Sequence, residues 1–491
     1  MKKLLSMLLV LCMALSCAAF AETAETEDTT TLVVGYSYFS NKFSPFFSKT
    51  AYDQDVYLMT QLSLLNSDRE GNVVLNGIEG EVIPYNGTDY TYYGIADCEI
   101  VQNDDGTVDY NITMRDDVTF SDGVPMTIDD AIFSFYVFLD PTYDGSSTLY
   151  AMPIEGLEEY RSNMSSLADV IYNAGEDNTD YTYFTEEQQQ KYWDTYNNEA
   201  GTAFAQEITD YCVSNYGSYL ADYGNNEVAL GMGMWGYGEM DENGNFVSSD
   251  GISYDLTTTA PTAADYWTAI VNNYDGDIAT ATATETAGST LEELTANILG
   301  AEYQAGVSTG DSAANISGIK KTGDYSMTVT LTEFDATAIY NMGIAVAPMH
   351  YYGDESLYDY DNNMFGFNKG DLSIVKEKTT QPMGAGAYKF VSFENGVVTF
   401  EKNENYIFGD PKIDYILFKE CAEGDKLTGV ATGTFDISDP TFNKTTVANI
   451  KEYNGNDSLD GDVLTTKTVD NLGYGYLGIC ADNVKVGRQD L

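Results

Sequence analysis

Histidine is all but missing from this sequence: His350 is the only one among 491 residues. A multi-histidine metal centre is therefore excluded, and capture of free nickel is not expected. A Ser-His-Asp hydrolase would have to be built around that single residue. It sits in Ala347-Pro348-Met349-His350 and reads as a loop or core position. Cysteine is sparse too. Cys12 and Cys17 fall in the N-terminal leader, and Cys98, Cys212, Cys421 and Cys480 are far apart with no C-x-x-C pair. No zinc site is expected, and isolated buried thiols are. Basic residues number 23 against 77 acidic ones, a net charge of −54. So acidic a surface repels phosphate backbones and anionic headgroups, so nucleic acid and bare membrane are not expected as partners. Beyond the leader no apolar run reaches the ~18 residues that a membrane span needs. Phosphate and calcium loops are missing as well. Gly384-Ala385-Gly386 precedes a strand pattern, not a helix. Asp241, Asn243 and Asn245 mimic half a calcium loop, but Phe246 and Ile252 replace the Gly and Glu it needs. No cofactor and no metal is expected.

What the chain has is length, aromatics and a leader. Its 491 residues suffice for two or three domains, and a hydrophobic content of 43% is that of a globular protein. The 39 tyrosines suit strands and polar, aromatic binding surfaces alike. MKKLLSMLLVLCMALSCAAFAETAE opens with Lys2 and Lys3, then runs apolar from Leu4 to about Leu15. Ala19-Phe20-Ala21 fits signal-peptidase cleavage after Ala21. Leu15-Ser16-Cys17 also resembles a lipoprotein box with Cys17 as the lipidated residue. Either site exports the protein. Cleavage after Ala21 removes two lysines and no acid, taking −54 to −56.

Downstream, residues 22–30 read as a polar linker and 31–39 as a first strand. Apolar residues Val56, Met59, Leu62 and Leu65 have helical spacing over 52–66. Three hairpins follow by alternation: 96–114, 323–333, and 387–403 around Asn395-Gly396, the strongest short turn signal. From 161 to 305 the texture changes to helical stretches and loops, including 231–251, with 24 acidic residues and two basic ones, Arg161 and Lys191. This reads as an inserted subdomain.

The stretch 115-RDDVTFSDGVPMTIDDAIFSFYVFLDP-141 carries the most information. Val118 and Phe120 close a strand, and Ser121-Asp122-Gly123 turns the chain. Thr127 and Asp130 have capping-box spacing ahead of an almost wholly apolar helix. Its aspartates therefore have local structural tasks, and as metal ligands or an acid/base pair they are poor candidates. The stretch also resembles the signature of extracellular solute-binding proteins family 5, the peptide/nickel-binding components of ABC transporters. Ser44-Pro45, 319–339, 346-VAPMHYYG-353, 384–419 and 433-GTFDISDP-440 resemble further blocks of that family in the same order. Together they span roughly 31–160 and 306–491.

The resemblance implies an α/β protein with a two-lobed periplasmic-binding-protein type II fold, an extra subdomain in lobe I and an incomplete lobe II. The implied division is a signal peptide at 1–21, a linker at 22–30, lobe I at 31–418 with the acidic insert at about 161–305, and the start of lobe II at 419–491. It implies an exported peptide-binding component of an ABC importer, with permease subunits as partners, membrane contact only through them or a lipid anchor, and no catalysis. By position after Ser44-Pro45, the lobe I stretch that pairs with a peptide backbone is expected at Ser48, Lys49, Thr50, Ala51 and Tyr52. Two departures stand out: the long acidic insert, and 484-VKVGRQDL-491, where the family continues into most of lobe II. No position matches the family's acidic anchor for the peptide amine. The sequence is therefore expected to be a fragment or the product of a broken gene. The alternatives are an exported carbohydrate-binding transporter component and a glycoside hydrolase, whose two carboxylates about 5–9 Å apart an acid-rich sequence does not exclude.

Overall fold

The computed structural model describes residues 29–467. Both processing sites, Cys17 and Ala21, lie outside the described residues, as do most of the 22–30 linker, Cys480 and the 484–491 stretch. In chain order, β1 (Thr31–Tyr36) leads through a loop to α1 (Ala51–Leu58). β2 (Ala96–Gln102) and β3 (Val108–Met114) precede α2 (Ile128–Leu139), and β4 (Ile319–Gly323) and β5 (Ser326–Leu331) follow the long acidic stretch. β6 (Tyr388–Glu394), β7 (Val397–Lys402), β8 (Tyr415–Glu420), α3 (Glu423–Ala431), β9 (Ile437–Ser438) and α4 (Lys444–Asn454) follow.

The α/β class expected is the class observed. One antiparallel sheet has the order β4-β5-β3-β2 and carries α2 on its buried face. Alternation places Val108, Tyr110, Ile112, Met327, Val329 and Leu331 against that helix. α2 is buried nearly all round and starts as its sequence predicts. The backbone N–H of Thr127 donates to Asp130 Oδ2 at 2.9 Å, and Thr127 Oγ1 accepts from Asp129 N at 3.3 Å. The second sheet has the order β6-β7-β8-β1-β9, with β8 and β9 both parallel to β1. The Asn395-Gly396 turn joins β6 to β7 with both residues at positive φ, 53° and 72°. Phe435 wedges α3 onto β1, because a Cβ on Gly35 or Gly429 would stand 2.4 or 2.3 Å from its ring.

Between Met164–Ser166 and Gly306–Ser308, which pair as antiparallel strands, the chain builds a separate, mainly helical cluster. Helices Glu186–Thr195 and Gly201–Tyr216 are joined by a π-helical turn, Tyr196–Ala200.

Three expectations change. Helix α1 stops at Leu58 and does not reach 66, because the carbonyls of Met59 and Thr60 accept from Tyr388 N and Gly386 N. Residues 231–235 finish helix Glu227–Trp235 and are not loop. Gly231 lets that helix approach Thr209 to a distance that a Cβ would close to 3.0 Å. Finally, the boundary expected between 418 and 419 falls inside β8, and β9 still pairs with β1, so this sheet runs on to Ser438.

Candidate functional site

Parallel strands give the second sheet a polarity. β8, β1 and β9 run the same way, so their carboxyl ends, Glu420, Tyr36 and Ser438, lie along one edge. In open α/β sheets ligands bind beyond that edge, where loops leave the strands.

The loop after β1 is held in place from two sides. Phe39 N donates to Glu420 Oε1 at 2.8 Å, and Ser40 N donates to Asp53 Oδ1 at 3.0 Å. Ser40 Oγ donates to the other Asp53 oxygen. Asp53 is fully buried in the first turn of α1, so that helix sets the loop's position. Above the strand ends lies an aromatic layer. The Tyr36 ring stacks on Phe39 at 5.4 Å and Phe418 at 4.8 Å, and meets Tyr52 edge-on at 5.6 Å. Tyr36 donates its hydroxyl to Asp55. Burial, that bond and the charges of Asp55 and Asp439 hold the hydroxyl pKa far above the ordinary tyrosine value, so it stays a donor.

Opposite Tyr52 stands Lys426, whose side chain is only 2% exposed. Its Nζ bonds Asp439 at 2.9 Å and Glu423 at 3.2 Å, 6.0 Å from the centre of the Tyr52 ring. Burial works against this charge, but the bonds to Asp439 and Glu423 outweigh it and keep the pKa above the lysine norm. The site thus offers exposed aromatic surface, fixed carboxylates and hydroxyls. Such groups hold a ligand by stacking and hydrogen bonding.

The residues expected to pair with a peptide backbone, Ser48 to Tyr52, do not form a strand edge. They are the entry to α1. Ser48 is buried and its hydroxyl donates to the carbonyls of Lys42 and Ser44. Lys49 turns to Glu293, 2.7 Å away. Thr50 caps α1, accepting from Asp53 N at 3.1 Å, and Ala51 is an exposed first helical residue. Tyr52 alone of the five joins the aromatic layer. Sequence reading missed Tyr36, Asp53, Asp55, Lys426 and Asp439. Tyr36 lay in the first predicted strand, Asp53 and Asp55 in the predicted 52–66 helix and Asp439 inside 433-GTFDISDP-440, but none of them carried a site expectation.

The weaker motifs have local roles. His350 Nε2 lies 2.8 Å from Asp122 Oδ2. Asp241 Oδ1 accepts from the amides of Asn243 and Asn245, both at 2.8 Å, in a hairpin turn. Gly384 and Gly386 lie so close to Thr60 that a Cβ would come within 2.4 and 2.5 Å of its backbone. Gly306-Val307-Ser308-Thr309-Gly310 spells Gly-x-Ser-x-Gly, but Ser308 ends a strand and its hydroxyl donates to Gly310 O at 2.9 Å. A nucleophile elbow needs a strand-to-helix turn, which is not there.

The profile of bacterial extracellular solute-binding proteins, family 5 Middle, matches residues 92–206 and 258–481. These segments make up well over half of the chain, and the protein belongs to that family. Among curated proteins none matches the sequence. Solved structures similar to this chain include OppA of Haemophilus influenzae in complex with RPPGFSPFR, at 14% identity and a TM-score of 0.38, covering 87% of this chain and 49% of that one. AppA of Bacillus subtilis in complex with a nonapeptide has 14% identity and a TM-score of 0.41, with coverages of 87% and 47%. NikZ of Campylobacter jejuni in complex with Ni(L-His) has 13% identity and a TM-score of 0.36, with coverages of 86% and 45%. The chain spans about half the length of these proteins.

Proposed function

We propose that this protein captures peptides outside the cytoplasm and presents them to the permease subunits of an ABC importer. The observation that carries this reading is membership of a solute-binding family over 92–206 and 258–481. The strand ends at Tyr36, Glu420 and Ser438 supply a matching place, with Tyr52, Asp55, Lys426 and Asp439 around it. Binding is non-covalent and the ligand leaves unchanged. Residues 439–467 are assigned in this reading to a second lobe, and closure of the lobes over the peptide belongs to it. Export, by cleavage after Ala21 or lipidation at Cys17, belongs to this reading. No described helix is long and apolar enough to cross a membrane.

Tyr52→Asp in the full chain tests the site. It puts a fourth carboxylate beside Asp55, Asp439 and Glu423 and removes the exposed ring. Isothermal titration with Ala-Ala-Ala should show at least about tenfold weaker binding, or about 1.4 kcal/mol, with the melting temperature unchanged. Equal dissociation constants would remove Tyr52 from the site. Tripeptide recovered intact after incubation agrees with capture, and consumption of a glycoside would point to the hydrolase alternative.

A further inference from the structure

The inserted helical cluster holds a groove of its own. It has a volume of about 550 Å³ and lies between helix Glu186–Thr195, the π-helical turn Tyr196–Ala200 and the end of helix Leu291–Leu299. All of its lining residues come from these three segments, which share the cluster's core through buried Tyr192, Tyr196 and Leu291. Helical spacing puts Glu187, Lys191 and Asp194 on one face, and the π-helical turn continues the lining with Asn198 and Glu199. That turn is fixed from behind. Trp267 Nε1 donates to Asn197 O at 3.3 Å, and its indole packs so close to Gly201 that a Cβ there would stand 2.1 Å from the ring.

Two observations point to a ligand. The first is uncompensated charge. Glu187, Asp194 and Glu199 line the groove and form no ion pair among the described residues. Lys191 is the one base in the lining, and its Nζ lies over the Tyr303 ring, 5.4 Å from the centre. From 192 to 319 the sequence has no Lys, Arg or His to answer the carboxylates. The second is Thr195. It is only 7% exposed, it lines the groove, and its hydroxyl bonds nothing among the described residues. A polar group so nearly buried has a partner as a rule, and here the groove is where one fits.

The carboxylates are strung out. Glu187 and Asp194 stand two helical turns apart, roughly 10 Å along the axis. Among the described residues no three acidic, histidine or cysteine side chains converge to hold a metal ion. A row of ammonium groups joined by methylenes meets these carboxylates in turn. Its apolar part lies on Ile298, which is 41% exposed, and on Leu299. Its N–H groups reach Thr195 Oγ1 and the side-chain oxygen of Asn198, whose amide nitrogen already donates to Asp194 O at 2.9 Å. We propose that this groove binds a linear aliphatic polyamine, held by Glu187, Asp194 and Glu199 with Thr195 as an uncharged acceptor. The net charge of −54 gathers such cations around the chain, and the groove fixes one of them. The proposal is independent of peptide capture and uses none of the strand-end residues.

The test is calorimetric titration of the full chain with spermidine at about 150 mM sodium chloride, where the screening length is about 8 Å. One spermidine should bind per chain. Asp194→Asn combined with Glu199→Gln should weaken binding at least about tenfold. Glu239→Gln combined with Glu242→Gln removes the same charge from exposed positions of another hairpin in the cluster and should leave the dissociation constant unchanged. Thr195→Val should weaken binding about threefold, and Lys191→Gln, which removes the one repelling charge, should tighten it. Hydrogen exchange on the unsubstituted protein gives a readout that does not depend on a variant folding: spermidine should slow the amides of 195–200. Equal weakening by the two double variants, or uptake without a saturating one-to-one site, would mean counter-ion attraction only and overturn the proposal. No binding, or no added protection at 195–200, would overturn it as well.

Discussion

At Asp130 a single carboxylate joins two parts of the core. It caps α2 through Thr127 N and accepts from Met349 N at 3.0 Å. Burial pushes its pKa up to about 6, against the pull of those two bonds. The folded pKa therefore lies above that of an unfolded carboxyl. The associated stability is fully present below about pH 4 and is lost as pH rises through about 6. The size is on the order of 2–3 kcal/mol. Asp130→Asn should flatten the fall in melting temperature between pH 4.5 and 7.5. Asp140, also raised by burial, acts in the same direction and leaves a residual slope. An unchanged slope in the variant would show that Asp130 titrates normally. Burial also lifts the thiols of Cys98 and Cys212, to about 12 and about 11. Native protein treated with iodoacetamide at pH 8 should keep both unmodified by peptide mapping, and denatured protein should not. Both cysteines are free and buried, as the sequence reading of isolated buried thiols expects.

At the scale of elements, what was legible followed local rules. The hairpins announced themselves by period-two alternation and, for β6–β7, by Asn395-Gly396. Gly396→Ala should destabilise the protein by about 1–2 kcal/mol in chemical denaturation, because its φ is 72° and a Cβ would meet Glu420 at 2.7 Å. Asn395→Gly should be tolerated. Thr127→Ala should cost ~1 kcal/mol by loss of the α2 cap and leave peptide affinity unchanged. What was not legible was set by distant partners. Helical spacing extends over 52–66, yet α1 ends at Leu58 because Met59 and Thr60 give their carbonyls to residues 386–388. The same contact hides the reason for Gly384 and Gly386.

At the scale of the whole molecule, charge dominates. With a net charge of −54 the folded chain repels itself, most of all over 161–305, where 24 acids face two bases. Among the described residues, Lys49–Glu293 is one ion pair that ties this region to the entry of α1. Raising sodium chloride from about 10 to about 300 mM shortens the screening length from about 30 Å to under 10 Å. The melting temperature should rise over that range. A fall would mean that ion pairs such as Lys426–Asp439 outweigh the repulsion.

By itself the sequence determined the α/β class, the two antiparallel hairpins that flank α2, the capping of that helix and the resemblance that family membership bears out. The hairpins and the cap rest on residues close together along the chain, where backbone geometry and side-chain period act directly; the class rests on the resemblance, carried by ordered blocks over 31–160 and 306–491. The candidate site was decided by tertiary structure. Tyr36, Tyr52, Asp55, Lys426 and Asp439 come from segments about 400 residues apart. They meet because β9 and β8 both pair with β1, and parallel pairing brings strand ends together whatever their separation along the chain.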